Sequence, residues 1–302
     1  MNVYTDFNQK TPANIAFKEI MLECIHHIEK NAKHISDGQD PEFLHQMRVG
    51  LRKLYVSMQL LAKLFPDILN DNKFVHFKQE IWHYESTLGK ARDWDVFTNS
   101  TLPQTILHLG TNKHYKNIQK QATTLGLSIH EHITKFITAK HHLWSGLKTW
   151  LSNDFISDIT LAKKPIIKFS NTLLQHKQKM MLKHAKLPLQ QMSLEEQHKL
   201  RIFIKKCHYT FSFFAHLYNE KNVKIYLKTL KKLQDILGDM HDYTVMRELC
   251  NKILKQNITT DIGYAVAIGE IIGYKGCKTR QMQDKFDKNL HKLCKLKDIV
   301  NS

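Results

Sequence analysis

The chain of 302 residues carries 45 Lys and Arg against 28 Asp and Glu, a formal net charge of +17 with its 19 His counted neutral, which favours an acidic partner. Only 11 Gly and 6 Pro leave little turn chemistry for a β-rich fold, and the 5 Cys, odd in number and without a CxxC pair, argue against a disulfide framework or a zinc knuckle. Neither a membrane-spanning stretch nor a signal-peptide pattern is visible, so we expect a cytoplasmic protein that does not enter a membrane.

Apolar residues recur every three to four positions along most of the chain, which predicts an all-α fold. The predicted helices, in chain order, span residues 12–35, 41–65, 72–99, 104–123, 127–152, 166–184, 193–218, 222–237, 242–255 and 262–293. Two of them begin with residues typical of helix starts. Asp40 precedes Pro41, and Ser193 precedes Glu195 and Glu196 in a first turn.

The chain contains an internal repeat. Residues 43–65, FLHQMRVGLRKLYVSMQLLAKLF, align without a gap on residues 196–218, EQHKLRIFIKKCHYTFSFFAHLY, at an offset of 153. A second pair follows at an offset of 149, where STLGKARDWDVF of residues 86–97 matches DILGDMHDYTVM of residues 235–246. Two motifs in the same order at nearly the same spacing predict that a helical unit was duplicated.

The boundary between the two copies is predicted from turn residues. It falls either in the Pro- and Lys-containing stretch 153–165 or at the Leu187–Pro188 turn. We therefore divide the chain into a first helical bundle, residues 1–160, and a second helical bundle, residues 161–302.

The first repeated helix separates apolar from basic side chains on a helical wheel. Its apolar face consists of Met47, Leu51, Leu54, Met58, Leu61 and Phe65, and its basic stripe of His45, Arg48, Arg52 and Lys63. The second copy repeats the division, with Leu200, Ile204, Cys207, Phe211 and Tyr218 on one side and His198, Arg201 and Lys205 on the other.

These basic stripes have two interpretations. A run of charge usually marks a solvated helix face, where acidic and basic side chains pair at i, i+4. Residues 43–66 and 197–219, however, contain no Asp or Glu. Like charges three and four residues apart repel by a few tenths of a kcal/mol, a cost that an external anion would offset, so we favour an anion-binding surface.

His45 and His198 could be core residues with satisfied hydrogen bonds. Their place on the basic stripe, beside Arg48 and Arg201, favours contact with an anion instead. A histidine in that position would gain charge on binding, because a phosphate raises its proton affinity.

The dipeptide His241–Asp242 raises a second hypothesis, a metal-dependent phosphohydrolase. The repeat argues against it, because the matching pair is Arg92–Asp93 and a guanidinium does not ligate a metal. We interpret the two aspartates as carboxylates that cap or orient basic neighbours. Because phosphate-loop, HExxH and GxSxG motifs are also missing, we expect no catalytic residue, no metal and no cofactor.

The paired motifs resemble those of a known family. HQMRVGLRK with LGKARDWDV, followed by HKLRIFIKK with LQDILGDMHDYTVM, is similar to the CHAD family, the conserved histidine α-helical domain, and the similarity spans the whole chain. The resemblance implies two pseudo-symmetric helical bundles whose basic stripes face a shared central groove or pore. It also implies binding of inorganic polyphosphate, often at polyphosphate granules.

Carried over by position, the resemblance places the family's histidines on His45 and His198. Together with two further residues, Lys63 and His241, the predicted polyphosphate-binding set contains Arg48, Arg52, Lys53, Arg92, Arg201, Lys205 and Lys206. The second copy departs from the pattern, with Cys207-His208-Tyr209 in place of the expected Leu-Arg-Tyr. Its Lys205 and His241 are weaker counterparts of Arg52 and Arg92, which predicts a looser hold on phosphate in the second half.

The sequence therefore predicts a binding module for polyphosphate and no catalytic activity. The ExExK motif of CYTH triphosphatase domains is missing, so we expect a stand-alone domain without that activity. Nucleic-acid binding is the main alternative, since charge alone supports it equally well. It would predict aromatics interleaved with the stripes, where only Tyr55 and Tyr209 occur. The oligomeric state is not predicted.

Overall fold

The computed structural model describes residues 6–35, 40–140, 142–153, 159–256, 261–296 and 299–300. Over those ranges the chain is all-α, as predicted, with a single isolated β-bridge. The α-helices are α1 Ala13–Ile35, α2 Pro41–Leu64, α3 Asn72–Val96, α4 Leu102–Leu109, α5 Lys113–Ala139, α6 His142–Asn153, α7 Ile166–His184, α8 Leu194–Phe214, α9 Glu220–Gln256, α10 Ile262–Arg280 and α11 Gln283–Cys294. A π-helical turn, Phe97–Thr101, joins α3 to α4. No helix in the described ranges is long and apolar enough to cross a membrane.

Both predicted helix starts are confirmed. The Asp40 carboxylate accepts a hydrogen bond of 2.8 Å from the backbone N–H of Glu42, with Pro41 as the first helical residue of α2. Ser193 forms a capping box with Glu196, whose backbone N–H donates to the serine hydroxyl at 3.2 Å while its carboxylate accepts from the Ser193 N–H at 2.7 Å. These caps fix where the two repeated helices begin.

Several predicted helix boundaries are wrong. The predicted gap at 124–126 lies inside α5, and the chain instead breaks after α4, where Gly110 adopts a φ of +94° that few other residues tolerate. The two helices predicted at 222–237 and 242–255 form one helix, α9. A glycine inside a helix costs about 1 kcal/mol relative to alanine, and packing of α9 against α8, α10 and α11 outweighs that cost at Gly238. The helix predicted at 262–293 is instead two, α10 and α11.

Two hydrophobic cores hold the helices together. The larger core packs α1, α2 and α6 with α7, α8 and α11, and includes Phe17, Phe211 and Phe214. The smaller core lies around Trp94 and Cys250 and packs the ends of α3 and α9 with α4, α5 and α10. Each core draws residues from both sides of position 160, so the two predicted bundles share their interior. The boundary itself stays a prediction, and residues 154–158 lie outside the described ranges.

A short β-bridge joins the starts of α1 and α7. The Ala13 N–H donates to the Lys164 carbonyl at 2.9 Å, and the Ile166 N–H donates to the Thr11 carbonyl at 2.8 Å. Pro12 and Pro165 form the antiparallel bridge. Pro12 and Pro165 are counterparts at an offset of 153, the same offset that aligns the repeated helices, and that offset converts each of the two hydrogen bonds into the other.

The repeated helices pack in corresponding ways. α2 lies against α1 and α3, α8 lies against α7 and α9, and α2 and α8 also touch each other. The predicted apolar face of α2 is confirmed, since its members are all at most 1% exposed. Burial of these faces turns the basic side chains of α2 and α8 toward α3, α9 and one another.

Candidate polyanion-binding site

Charged side chains from four helices meet where α2 and α8 approach each other. We call this group the central cluster, and its members are Arg48, Arg52, Glu85, Asp93, Arg201, Lys205 and Asp242. The cations come from the basic stripes of α2 and α8, and the carboxylates come from α3 and α9. Four predicted binding residues are thus brought together from both copies of the repeat.

The central cluster contains an ion pair that the sequence did not reveal. The guanidinium of Arg52 donates a hydrogen bond from Nη2 to Oε1 of Glu85, and the same oxygen lies 3.9 Å from Nη2 of Arg48. The expectation that the stripe lacks acidic partners is therefore wrong for these two arginines. Glu85 belongs to α3, so a search of α2 and α8 for acidic residues could not find it.

Asp93 lies between the cations of the two repeats. Burial raises the pKa of its carboxyl group, and the positive charges of Arg48, Arg201, Lys205 and Arg52 oppose that effect. One carboxylate therefore interacts with basic residues of both α2 and α8. Its negative charge offsets part of the repulsion among these cations.

Arg48 and Arg201 occupy equivalent positions and share unusual surroundings. Burial, followed by repulsion from Arg52, lowers the pKa of each guanidinium to about 10, so both remain charged at neutral pH. The buried Nε of each arginine has no hydrogen-bond partner among the described residues. An unsatisfied buried donor on a charged group is costly, and an incoming anion would relieve the cost at both sites.

Arg52 and Lys205 are also equivalent but differ in charge balance. Burial lowers the pKa of Arg52, but the carboxylate of Glu85 outweighs it and the net pKa is raised. At Lys205, burial and then the positive charges of Arg52 and Arg201 lower the pKa to about 6. Lys205 is therefore largely neutral above that pH until an anion stabilises its charged form.

The predicted histidines flank the central cluster. In the first copy, the pKa of His45 is lowered, first by burial and then by Arg92, which also donates to the Pro41 carbonyl at 3.4 Å. In the second copy the rings of His198 and His241 lie 6.5 Å apart, centroid to centroid. Burial and the charge of Arg201 lower the pKa of His241 to about 3, so that ring is neutral in the unbound protein.

Three predicted binding lysines lie outside the central cluster. Lys53 is only 5% exposed and faces Cys24 and Glu23 of α1. Lys63 and Lys206 lie instead near Lys177 of α7. The helical wheel places only Lys205 on the basic stripe, and Lys206 enters the predicted set through the family resemblance.

A cavity of about 620 Å³ adjoins the central cluster between α8, α9 and α10. His198, Arg201 and His241 line it, together with two basic residues outside the predicted set, Arg247 and Arg280. Through this cavity, solvent reaches three predicted binding residues of the second copy.

The surroundings of His241 bear on the hypothesis of a metal-dependent phosphohydrolase. Among the described residues, no group of three or more His, Cys, Asp or Glu could hold a metal ion. The neighbours of His241 are the cations Arg201 and Lys205. These positive charges disfavour a divalent cation at His241.

Comparison with known proteins identifies the class of domain. A family model described as the CHAD domain matches residues 19–251. The crystal structure of the CHAD domain from the plant Ricinus communis superposes with a TM-score of 0.79 at 26% identity, covering 97% of this chain and 96% of that one. PptA from Streptomyces chartreusis shares the fold, with a TM-score of 0.67 at 10% identity over 93% of this chain and 100% of its own. No curated protein gives a significant match.

The family model covers well over half of the chain, so this protein belongs to the CHAD domain family. The resemblance noticed in the repeated motifs is confirmed. CHAD domains are linked with polyphosphate binding in general.

Proposed function

We propose that the protein binds inorganic polyphosphate at the central cluster and acts by binding, not by catalysis. The observation that carries the proposal is the equivalent pair Arg48 and Arg201. Both guanidiniums are charged, both keep a buried and unpartnered Nε, and both interact with the same carboxylate, Asp93. A chain of phosphates supplies the acceptors and negative charge that the two arginines lack.

The proposal includes two pseudo-symmetric halves, residues 1–160 and 161–302, that line a shared groove. The reciprocal hydrogen bonds between residues 11–13 and 164–166 support it, because the offset of 153 that pairs Pro12 with Pro165 converts one bond into the other. The contact of α2 with α8 supports it further, since it places the two stripes side by side. Both halves would then neutralise one polyphosphate chain.

Nucleic acid is a weaker candidate ligand. Single-stranded nucleic acids are held by bases stacked on exposed aromatic rings as well as by cations. Tyr209 lies half-buried beside Arg52, and Tyr55 packs against the larger core. Polyphosphate needs only the cations. Binding in the cytoplasm, at polyphosphate granules, is the setting that we propose for it.

The first test is a competition experiment with an arginine variant. Polyphosphate, single-stranded DNA and duplex DNA are titrated against the protein at matched ionic strength. We expect preference for polyphosphate and a steep fall in affinity with salt, because several neutralised phosphates release counterions. The double substitution Arg48→Gln with Arg201→Gln should weaken polyphosphate binding by on the order of 1.5 to 3 kcal/mol for each lost charged hydrogen bond.

A matched control removes two lysines from an exposed helix face. Lys285→Gln with Lys288→Gln on α11 makes the same change in net charge and should leave affinity nearly unaltered. Circular dichroism should show the same helicity for all three proteins. A wild type that prefers duplex DNA, or an arginine variant that binds polyphosphate as the control does, would disprove the proposed function.

A further inference from the structure

A second group of cations gathers around α7, away from the central cluster. The helix carries Lys168, His176, Lys177, Lys179, Lys183 and His184 and contains no Asp or Glu. Lys63 at the end of α2 and Lys206 on α8 approach the same surface, close enough to lower the pKa of Lys177 beyond the effect of burial. We call Lys63, His176, Lys177 and Lys206 the α7 cluster, and Lys179 and Lys183 extend its positive charge along α7.

Among the described residues, the lysines of the α7 cluster have no carboxylate partner. Lys177 is half-buried, with its Nζ 5.3 Å from the centroid of the Phe203 ring. The pKa of His176 is lowered, first by burial and then by Lys63, Lys177 and other lysines of α7. In the part of the chain that the structure describes, no ion pair connects these lysines to a carboxylate. Like charges crowded in this way repel one another.

The corresponding place in the first half is charge-balanced. At an offset of 153, the counterparts of the α7 cluster are His216, Glu23, Cys24 and Lys53. Lys53 lies near the carboxylate of Glu23, and Nε2 of His216 lies 2.9 Å from the Phe7 carbonyl oxygen. The same arrangement of helices therefore packs well without crowded cations. Their presence on one side only indicates a role in binding an anion.

We propose that the α7 cluster is a second anion site, which holds a further stretch of the polyphosphate chain bound at the central cluster. This inference rests on the proposed function. Lys63 follows Arg52 by about 16 Å along the axis of α2, at about 1.5 Å per residue. Lys205 and Lys206 are adjacent on α8, one in each cluster, so the two charged surfaces meet there. A long linear polyanion can occupy both, and a short one only the first.

The test compares a short polyphosphate, too short to reach from one cluster to the other, with a long one. The variant Lys177→Gln with Lys183→Gln should lose about tenfold in affinity for the long chain, because the second contact no longer adds its effective-concentration advantage. Its affinity for the short chain should stay within about twofold of the wild type, since the central cluster is intact. Lys179→Gln with Lys183→Gln, which leaves the half-buried Lys177 in place, should show a smaller loss in the same direction.

The control is Lys30→Gln with Lys33→Gln on α1, where Lys30 is the counterpart of Lys183. This change in the charge-balanced half should affect neither chain length. Equal affinities of both α7 variants and the wild type for the long chain would overturn the second site and leave the proposed function standing. Loss of duplex DNA binding alone would assign the α7 cluster to nucleic acid and also overturn it. A wild type that binds neither polyphosphate would disprove the function and the inference together.

Discussion

The two copies of the repeat differ in how their cations at the central cluster are neutralised. In the first copy Glu85 accepts a hydrogen bond from Arg52, whereas its counterpart at an offset of 149 is Gln234, whose buried amide nitrogen has no hydrogen-bond partner among the described residues. In the first copy, the Glu85 carboxylate therefore neutralises Arg52. The second copy leaves Lys205, the counterpart of Arg52, with a pKa lowered to about 6.

This difference changes what each copy gains from a ligand. The sequence comparison predicts that the second copy binds phosphate more weakly, because Lys205 cannot make the bidentate contact that the guanidinium of Arg52 makes. The charge balance predicts the opposite, that the second copy gains more from a bound anion. Polyphosphate must displace Glu85 from Arg52, whereas among the described residues no carboxylate accepts a hydrogen bond from Lys205, and a bound anion can restore the charge of that lysine. Three predictions test the comparison.

The largest effect should come from Lys205 and pH. In the unbound protein Lys205 is mostly neutral above about pH 6, and a bound anion raises its pKa, so binding takes up a proton. Wild-type affinity should therefore fall as pH rises above 6, by up to about tenfold per pH unit. Lys205→Arg keeps its charge and should bind up to about a hundredfold more tightly than the wild type at pH 8. Calorimetric titration of polyphosphate between pH 5.5 and 8 measures both.

Two features of that experiment separate Lys205 from other groups. His45 and His241, whose pKa values are lowered, are present in both proteins, so the difference between the wild type and Lys205→Arg reports Lys205. Lys199→Arg, at an exposed lysine of α8, is the matched control and should follow the wild type. A flat wild-type profile above pH 6 would show that Lys205 is already charged, and the contrast with Arg52 would be lost.

A smaller effect is expected from exchanging the acidic position between the copies. Glu85→Gln frees Arg52 for the ligand and should tighten polyphosphate binding, whereas Gln234→Glu gives Lys205 an internal partner and should weaken it. Each change should amount to about 1 kcal/mol, the scale of a partly exposed ion pair, or roughly fivefold in Kd. Fluorescence titration at fixed pH and salt gives the affinities.

The control for this exchange is Glu80→Gln, which removes another carboxylate of α3, one that accepts a hydrogen bond of 2.6 Å from Lys140. It changes net charge as Glu85→Gln does and should leave affinity within about twofold. If all three variants shift affinity according to net charge alone, Glu85 is not a competitor for Arg52.

The sequence predicts those features of the site that depend on neighbouring residues, and it does not predict contacts between helices. Helix starts at Asp40 and Ser193 depend on neighbours in the sequence and were predicted correctly. The pairing of Arg52 with Glu85 depends on how α2 packs on α3, which periodicity does not determine. The predicted helix end at residue 237 is wrong, because the packing that compensates for the cost of Gly238 within α9 is not visible in the sequence. The acid-free composition of α7 was visible in the sequence, but its approach to Lys63 was not.

The smallest effect concerns a second ion pair of the first copy, which serves stability. His130 lies 2.9 Å from Asp95 Oδ1, and the counterpart of Asp95 is Thr244, which has no charge. The hydrogen bond to Asp95 is the largest cause that raises the pKa of His130.

Because the folded pKa exceeds the unfolded one, the stabilisation is complete below about pH 6.5 and disappears as pH rises through the folded pKa. His130→Gln should therefore lower the free energy of unfolding by about 1 kcal/mol at pH 5.5, with allowance for partial exposure, and by less at pH 9. Urea unfolding at the two pH values measures this, and His132→Gln, exposed on the same helix, is the control. An equal loss at both pH values would mean that the ring acts through packing and not through its charge, while polyphosphate affinity should not change in either variant.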